Sequence, residues 1–216
     1  MSAPPKLRAG DRLVLATHNG GKLREFQELF APFGLVLTSS GELGLPEPEE
    51  TGTSFAENAR IKAHAAAKAA NMLALSDDSG LCVDALGGDP GVYTADWAGP
   101  SRDFARAMKR VEDALQAANA TEPGQRRGSF NATLCLAHPD GRDWLFVGKI
   151  DGTLVWPPRG DLGHGYDPVF MPEGHDITFG EMPSATKHGF VRGDRGLSHR
   201  ARAFAQLVEA VIEHRH

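Results

Sequence analysis

The segment SDDSG at residues 76–80 places two adjacent carboxylates, Asp77 and Asp78, at the end of an apolar run. Neighbouring negative charges repel each other, and Mg²⁺, which prefers carboxylate and water oxygens, would offset that repulsion. The three glutamates of the acidic loop at residues 47–50 could supply a further metal ligand. The alternative is that both segments are solvated, with an aspartate capping a turn.

A glycine-rich loop with the sequence THNGGK, at residues 17–22, follows a predicted strand and opens a predicted helix. Such a loop presents backbone N–H groups and the positive end of a helix dipole to a phosphate, and Lys22 adds a charge. The spacing is not that of a Walker A motif. A plain tight turn before a helix is the alternative interpretation.

Two further groups of polar residues lie later in the chain. The segment GHGYDP at residues 163–168 carries an aromatic ring and an acid, which suits a base-binding loop as well as a surface loop. Lys187 and the pair His199 and Arg200 place donors near the last predicted helix, for which Ser198 is the expected N-cap. Ordinary surface cations are the alternative for each of them.

The elements that position these residues follow from hydrophobic periodicity. The chain opens as strand, glycine loop, helix and strand, which is typical of an α/β fold. Ser54 and Glu57 form a capping-box pattern that predicts the start of a long, alanine-rich helix. We predict strands at 12–17, 35–38, 72–76 and 81–86, a turn at DDSG, helices at 22–33, 54–71, 101–119 and 198–213, and a β-rich region at 129–155 with a hairpin at HPDGRD.

The composition is that of a soluble globular protein, with 41% hydrophobic and 24% charged residues among 216. A formal net charge of -5 argues against nucleic acid as the main partner, because such proteins usually carry a basic surplus. The N-terminal segment has no apolar signal region and no apolar run is long enough to span a membrane, so we expect a cytoplasmic protein. Cys82 and Cys135 are expected to be buried free thiols.

Ordered blocks of this sequence resemble the inosine triphosphate pyrophosphatase family, the bacterial pyrophosphatases of non-canonical purine nucleoside triphosphates. The blocks are LATHNGGKLREF, EETGTSFAENARIKA, DDSGLCVDALGGDPGVYTADWAG, GYDPVF, FGEM followed by Lys187, and SHRARA. Their order matches that of the family and they cover nearly all of residues 12–213, which argues against a chance match.

The resemblance implies a fold and a reaction. The expected fold is α/β, an elongated two-lobed fold with a central mixed β-sheet flanked by helices. Residues 11–216 would form a single domain after a disordered leader at 1–10, with the active site in the cleft between the lobes. The expected reaction is Mg²⁺-dependent hydrolysis of ITP, dITP and XTP to the monophosphate and pyrophosphate, which cleanses the nucleotide pool. A homodimer is the expected assembly, with no nucleic-acid or membrane partner.

The resemblance also assigns roles to residues. Asp78 would be the catalytic base and, with Glu50, would bind Mg²⁺. The substrate-binding residues would be Thr17, His18, Asn19, Gly20, Gly21, Lys22, Lys62 and Ser79 for the phosphates, and His164, Gly165, Tyr166, Asp167, Lys187, His199 and Arg200 around the nucleoside. Donors from His199, Arg200 or the backbone would satisfy the 6-oxo group of the purine, and adenine would leave them unpaired.

Two departures from the family pattern and two competing functions remain at this point. His164 stands where the family commonly has a Phe that stacks on the purine, and extra residues separate Lys187 from Ser198. A related pyrophosphatase acting on modified pyrimidine nucleotides is one alternative, against which the SHRARA block argues. A non-catalytic nucleotide-binding module is the other, and the costly pair of carboxylates argues against it.

Overall fold

The fold is described from a computed structural model, which covers residues 3–189 and 196–213. Its strands form one six-stranded mixed sheet in the order β2-β1-β3-β4-β5-β6. β1 pairs in parallel with β2 and β3, whereas β5 pairs antiparallel with β6. The strands are β1 (Arg12–Leu15), β2 (Val36–Ser39), β3 (Ala74–Val83), β4 (Arg127–Ala137), β5 (Asp143–Leu154) and β6 (Phe170–Pro172). This confirms the predicted mixed α/β sheet, including the hairpin between β4 and β5.

The longer helices begin at residues whose side chains cap them. Ser54 Oγ accepts from the N–H of Glu57 and the Glu57 carboxylate accepts from the N–H of Ser54, which is the predicted capping box. Asp103 caps the third helix in the same way, through the N–H of Arg106. The helices are α1 (Gly20–Phe30), α2 (Phe55–Ala70), α3 (Phe104–Ala117), α4 (Ser184–His188) and α5 (His199–Val211).

The prediction of a turn at DDSG is wrong, because one continuous strand, β3, runs through the segment. Alternate side chains of a strand point to opposite faces of the sheet, so Asp77 and Asp78 point away from each other. Ser76 and Asp78 share one face: Ser76 Oγ donates to the carbonyl of Ala59 on α2, and Asp78 pairs with Lys62 on the same helix. Adjacent carboxylates are therefore compatible with a strand when each face supplies a cation.

The expected leader at residues 1–10 is attached to the last helix from Leu7 onward. The N–H of Leu7 donates to the carbonyl of Val211 at 2.7 Å, and the Leu7 side chain is buried. Arg8 adds an ion pair with Glu213. The prediction of disorder is therefore wrong for the residues from Leu7 onward. The polar composition of the segment did not indicate that Leu7 packs against α5.

The chain divides into two compact units that interleave along the sequence. The first takes residues 1–78, 133–147 and 203–216, and the second takes 79–132 and 148–202. The first unit packs the alanine face of α2 against Val14, Ala74 and Cys135. The second has a larger aromatic core that includes Phe130, Phe170 and Phe179. Over the described residues, every helix is too short or too polar to span a bilayer.

The two cysteines differ in exposure. Cys135 is buried, and burial raises the pKa of its thiol to about 12. Cys82 is only partly buried, which corrects the expectation that both thiols are buried. Both are free, as predicted, because no disulfide joins them.

A buried ion pair ties α3 to the start of β4 in the second unit. Arg126 pairs with Glu112, and its guanidinium also donates to the carbonyls of Leu154 at 2.8 Å and Ala120 at 3.2 Å. Gln116 donates to the other oxygen of Glu112. The guanidinium and the carboxylate are about nine-tenths buried, and they bond to each other and to these neighbours.

Removing one partner of this pair is expected to destabilise the fold strongly. Glu112→Ala leaves a buried guanidinium without its carboxylate, and we expect a loss of about 3–5 kcal/mol in the free energy of unfolding. The matched control is Asp113→Ala, next along the helix, whose ion pair with Lys109 is exposed and should contribute under about 1 kcal/mol. Urea unfolding of both variants measures the difference, and similar losses would contradict this role for Glu112.

Candidate functional site

The glycine-rich loop lies between β1 and α1, as the sequence predicts. Asn19 caps α1: its Oδ1 accepts from the N–H of Gly21 at 2.8 Å and from that of Lys22 at 3.2 Å. The N–H of Asn19 in turn donates to Thr17 Oγ1. A Cβ at Gly21 would lie 3.1 Å from Asn19 Oδ1, so the cap favours glycine there. Two of the N–H groups expected to face a phosphate are thus held by the Asn19 side chain.

Other members of the loop are exposed. His18 is exposed and its Nε2 donates to the carbonyl of Leu45, 2.7 Å away, which ties the loop to the segment before the acidic residues. Gly20 begins α1 and would meet no neighbour with an added Cβ. The loop therefore leaves open space beside the helix start, which is what an approaching anion needs.

Lys22, the last residue of the loop, pairs with Asp77. Its Nζ lies 3.0 Å from Asp77 Oδ2, and the Asp77 side chain is fully buried whereas that of Lys22 is 25% exposed. A carboxylate removed from water in this way is destabilised unless a cation and hydrogen bonds compensate it. Lys22 is thus the cation for the α1 side of β3.

Lys62 pairs with the other carboxylate. It lies on α2, and its Nζ is 2.7 Å from Asp78 Oδ1 and 3.3 Å from Glu50 Oε2. The side chains of Lys62 and Asp78 are each 12% exposed, and that of Glu50 is 38% exposed. Glu50 and Asp78 therefore both contact the ammonium group of Lys62, and all three residues are among those that the family resemblance assigns to the site.

The two lysines meet at one backbone oxygen. The carbonyl of Asp77 accepts from Lys62 Nζ at 3.1 Å and lies 3.4 Å from Lys22 Nζ. This carbonyl is available because β1 ends at Leu15, which pairs with Leu75, two residues earlier on β3. Two ammonium groups, which also pair with the carboxylates of Asp77, Asp78 and Glu50, therefore lie within reach of one acceptor.

The pKa of the Asp78 carboxyl group is raised towards neutral pH. Burial raises the pKa of its carboxyl group to about 6, and the neighbouring Lys62 opposes the rise while Glu50 and Asp77 add to it. Burial alone would lower the pKa of Lys62, but the surrounding carboxylates outweigh it and the net shift is upward. Asp78 Oδ2 is buried and has no hydrogen-bond partner among the described residues. This oxygen could accept a proton or bind a cation.

The acidic residues do not form a complete metal cage by themselves. Within residues 3–189 and 196–213, no group of three or more His, Cys, Asp or Glu side chains has the spacing of a metal site. The oxygens that could bind a metal are Asp78 Oδ2, which has no partner among the described residues, and the carboxylate of the half-exposed Glu50. A hard cation that keeps several waters, as Mg²⁺ does, fits so sparse a set of carboxylate ligands.

In the second unit, Lys187 organises the GHGYDP loop. Its Nζ is 3.0 Å from Asp167 Oδ2 and 3.1 Å from the carbonyl of Phe179, with the carbonyl of Leu162 at 3.4 Å. Its side chain is 1% exposed. A Cβ at Gly163, whose φ is +102°, would collide with Asp167 and Lys187, so the tight turn requires glycine.

The four residues from His164 to Asp167 differ in what they can offer a ligand. The Tyr166 ring belongs to the aromatic core, edge-on to Phe104, and its hydroxyl donates to the carbonyl of Thr94 at 2.9 Å. Burial raises the pKa of Tyr166. His164 is exposed and Gly165 is half-buried, so these two present the accessible surface of the loop.

The first turn of α5 carries the remaining predicted residues. Ser198 Oγ accepts from the N–H of Ala201, which confirms the predicted N-cap. His199 stacks on Phe130 with ring centroids 5.0 Å apart, and Arg200 Nη2 donates to Ser79 Oγ at 3.1 Å. The extra residues between Lys187 and Ser198 lie mostly at 190–195, outside the described residues.

Sequence reasoning gave Asp77 no role of its own. It treated the two aspartates as one repelling pair in a turn, although alternation along a strand was the signal that would have separated them. It also did not single out Asn58, whose Oδ1 accepts from the N–H of Gly52 at 2.8 Å and so fixes the chain between Glu50 and α2. A buried position for Asn58 cannot be read from an alanine-rich helix alone.

The raised pKa of Asp78 makes a prediction about stability in the absence of metal. The folded state holds this proton up to about pH 6 and the unfolded chain only to 3.8, so wild type loses stability as the pH rises between these values. Asp78→Asn lacks this loss, and we expect its advantage in stability over wild type to be larger at pH 8 than at pH 4. The advantage should shrink as the pH falls from 6 towards 4.

Asp143→Asn is the matched control, measured by urea unfolding in chelator. The pKa of Asp143 is lowered because His64 and Arg60 outweigh the effect of burial. Its stabilising contribution is present above its unfolded pKa, so Asp143→Asn should lose stability at pH 8. If the stability of Asp78→Asn relative to wild type is instead lower at pH 8 than at pH 4, the pairing with Lys62 outweighs burial, contrary to the prediction.

Proteins of known sequence match this chain over nearly its whole length. A relative from Mesorhizobium japonicum named dITP/XTP pyrophosphatase is 59% identical over 208 residues, covering 94% of each chain. One from Rhodopseudomonas palustris with the same name is 59% identical over 205 residues, covering 95% of this chain and 98% of the relative.

Solved structures and a family model agree with these relatives. A HAM1 protein from Coxiella burnetii superimposes with a TM-score of 0.81 at 35% identity, covering 92% of this chain and 97% of that one. A nucleoside-triphosphatase, or dITP/XTP pyrophosphatase, from Mycobacterium abscessus gives 0.73 at 34% identity, covering 91% and 98%. The Ham1 family model matches residues 13–210. With this match and relatives of such identity, the chain belongs to the Ham1 family.

Proposed function

We propose that this protein hydrolyses non-canonical purine nucleoside triphosphates, ITP, dITP and XTP, to the monophosphate and pyrophosphate. The observation that carries the proposal is the convergence of Lys22 and Lys62 on the carbonyl of Asp77, beside a buried Asp78 with one unpartnered oxygen. Lysines of this kind neutralise a triphosphate, and a carboxylate of this kind activates a water molecule. Relatives of this chain carry the name dITP/XTP pyrophosphatase.

Mg²⁺ is the cation that we propose for this site. Asp78, through its unpartnered oxygen, and Glu50 would hold it, because both are carboxylates and both lie within reach of the same ammonium group. When bound, a divalent ion supplies charge neutralisation to the phosphates and lowers the pKa of a bound water molecule. Lys62 contacts both carboxylates, so a cation that competes for them would leave ammonium protons of Lys62 available to phosphate oxygens.

The residues of the chain have separate tasks in this reaction. Asp78 orients a water molecule and takes its proton for in-line attack on the α-phosphorus. Lys22 and Lys62 stabilise the charge on the leaving pyrophosphate. The open space beside Gly20 accommodates the phosphates near the start of α1. Pyrophosphate leaves without a covalent intermediate.

We assign base selection to the first turn of α5 in this proposal. Arg200, which is buried and bonded to Ser79, and His199, which is stacked on Phe130, offer donors to the 6-oxo group of a purine. Adenine would leave such donors unpaired, at about 1–3 kcal/mol each. Lys187 is fully engaged by Asp167 and two carbonyls, so we assign it to shaping the loop that presents His164. The family resemblance also implies a homodimer, which we include in the proposal.

The proposal is tested by pyrophosphate release from ITP, dITP and XTP with Mg²⁺ present. The Asp78→Asn variant should lose about a hundredfold or more of the rate because it removes both the base and a metal ligand. Near-normal turnover with unchanged Mg²⁺ dependence would contradict the role of Asp78. Faster hydrolysis of UTP than of ITP would favour the pyrimidine alternative, and binding without turnover would favour a nucleotide-binding module.

The exposed His164 gives a further prediction about substrate binding. A flat ring at the tip of the GHGYDP loop can stack on a purine, as the Phe common in this family does. We expect His164→Phe to keep or lower the KM for ITP, and His164→Ala to raise it several-fold with little change in kcat. Steady-state kinetics on the three proteins check this. Equal KM values for all three would show that His164 makes no contact with the base.

A further inference from the structure

We propose that Asp77 is a positioning residue for turnover: its buried carboxylate holds the Lys22 ammonium where it acts on the leaving phosphates. This inference rests on the proposed function, in which Lys22 stabilises the leaving pyrophosphate. The proposed reaction gives a task to Asp78 and uses the carbonyl of Asp77, but it gives no task to the carboxylate of Asp77. A carboxylate at this position has to be explained, because an unused one would destabilise the fold.

The first support is burial. The Asp77 side chain is fully buried, and its Oδ2 lies 3.0 Å from Lys22 Nζ. An ion pair this deep gains little net stability compared with well-packed apolar residues of similar size. Stability alone is therefore a weak reason for aspartate here, and a requirement for Lys22 in one particular place is a stronger one.

The second support is the direction of the side chain. Because alternate residues of β3 face opposite ways, Asp77 points towards Lys22 while Asp78 points towards Lys62. Both lysines nevertheless reach the carbonyl oxygen of Asp77, at 3.4 and 3.1 Å. One residue thus contacts both cations of the site, through its carboxylate and its carbonyl.

The third support is what Lys22 would do without this partner. The two ammonium groups share an acceptor and repel each other. Lys22 starts from the first turn of α1, is the more exposed of the two lysines and has a long, flexible side chain. Without the Asp77 carboxylate, the Lys22 ammonium group would be more stable in bulk solvent, away from Lys62. Asp77 supplies the attraction that keeps both charges together before the substrate binds.

A double-mutant cycle on the full-length protein tests the proposal, with the substitutions Asp77→Asn and Lys22→Ala made singly and together. Asparagine matches the shape of aspartate and keeps one acceptor oxygen, so it removes the negative charge with little change in packing. We expect Asp77→Asn to lower kcat for dITP by about tenfold or more, the loss of one charge-assisted hydrogen bond, with a smaller change in KM. In the Lys22→Ala background, Asp77→Asn should cause no further loss.

Controls separate positioning from other roles. Asp143→Asn removes a carboxylate of the same unit that pairs with Arg60 and His64, and it should leave kcat near that of wild type. Asp77→Glu keeps the charge and should retain more activity than Asp77→Asn. If Asp77→Asn fails to fold, Asp77→Glu with and without Lys22→Ala provides the same comparison, because the longer side chain displaces the carboxylate.

Several outcomes would overturn the proposal. Independent losses from Asp77→Asn and Lys22→Ala would show that Asp77 does not act through Lys22. A shift of the Mg²⁺ concentration needed for half-maximal rate, with kcat restored at saturation, would make Asp77 a metal ligand instead. Failure of the proposed function is a separate result, since wild type would then release no pyrophosphate from dITP, ITP or XTP at any Mg²⁺ concentration.

Discussion

The candidate site depends on one electrostatic constraint, that two successive residues of a buried strand both carry negative charge. Such a strand is stable only if each face of the sheet supplies a cation, and here α1 supplies Lys22 while α2 supplies Lys62. This requirement sets the start of α1 after a short loop and the register of α2 against β3, where Ser76 bonds to the carbonyl of Ala59. The same two cations are the ones to which the proposed function assigns the phosphates of the substrate.

The second unit uses the same principle with a different result. Lys187 donates to Asp167 and to two backbone carbonyls, and in this way it stabilises a glycine-rich turn from inside the protein. Tyr166 is anchored in the aromatic core by its ring and its hydroxyl. With two members fixed inside, the loop exposes His164 on a rigid base. A rigid support limits the ordering entropy that a ligand would otherwise have to overcome on binding.

Asp78 shows the tension between stability and chemistry. Burial raises its pKa to about 6, so the charged form is unfavourable in the metal-free protein, and Oδ2 has no hydrogen-bond partner in the part of the chain that the structure describes. The same features make a carboxylate useful as a base near neutral pH. Glu112, by contrast, is buried with a guanidinium and a glutamine amide that satisfy it, and its pKa is lowered. The difference between the two acids lies in unused hydrogen-bonding capacity, not in burial.

The sequence by itself determined the α/β class, the glycine loop before α1, the capping box at Ser54 and the cap at Ser198, because each depends on residues a few positions apart. Its resemblance to a family also singled out Lys62, Asp78 and Glu50, which the structure gathers. Only the tertiary structure showed that DDSG is a strand interior, that Leu7 docks on α5, and that Lys187 is fully engaged. These depend on partners distant in the chain: the lysine that makes a buried aspartate tolerable lies 16 or 55 residues away, and local propensity contains no information about it.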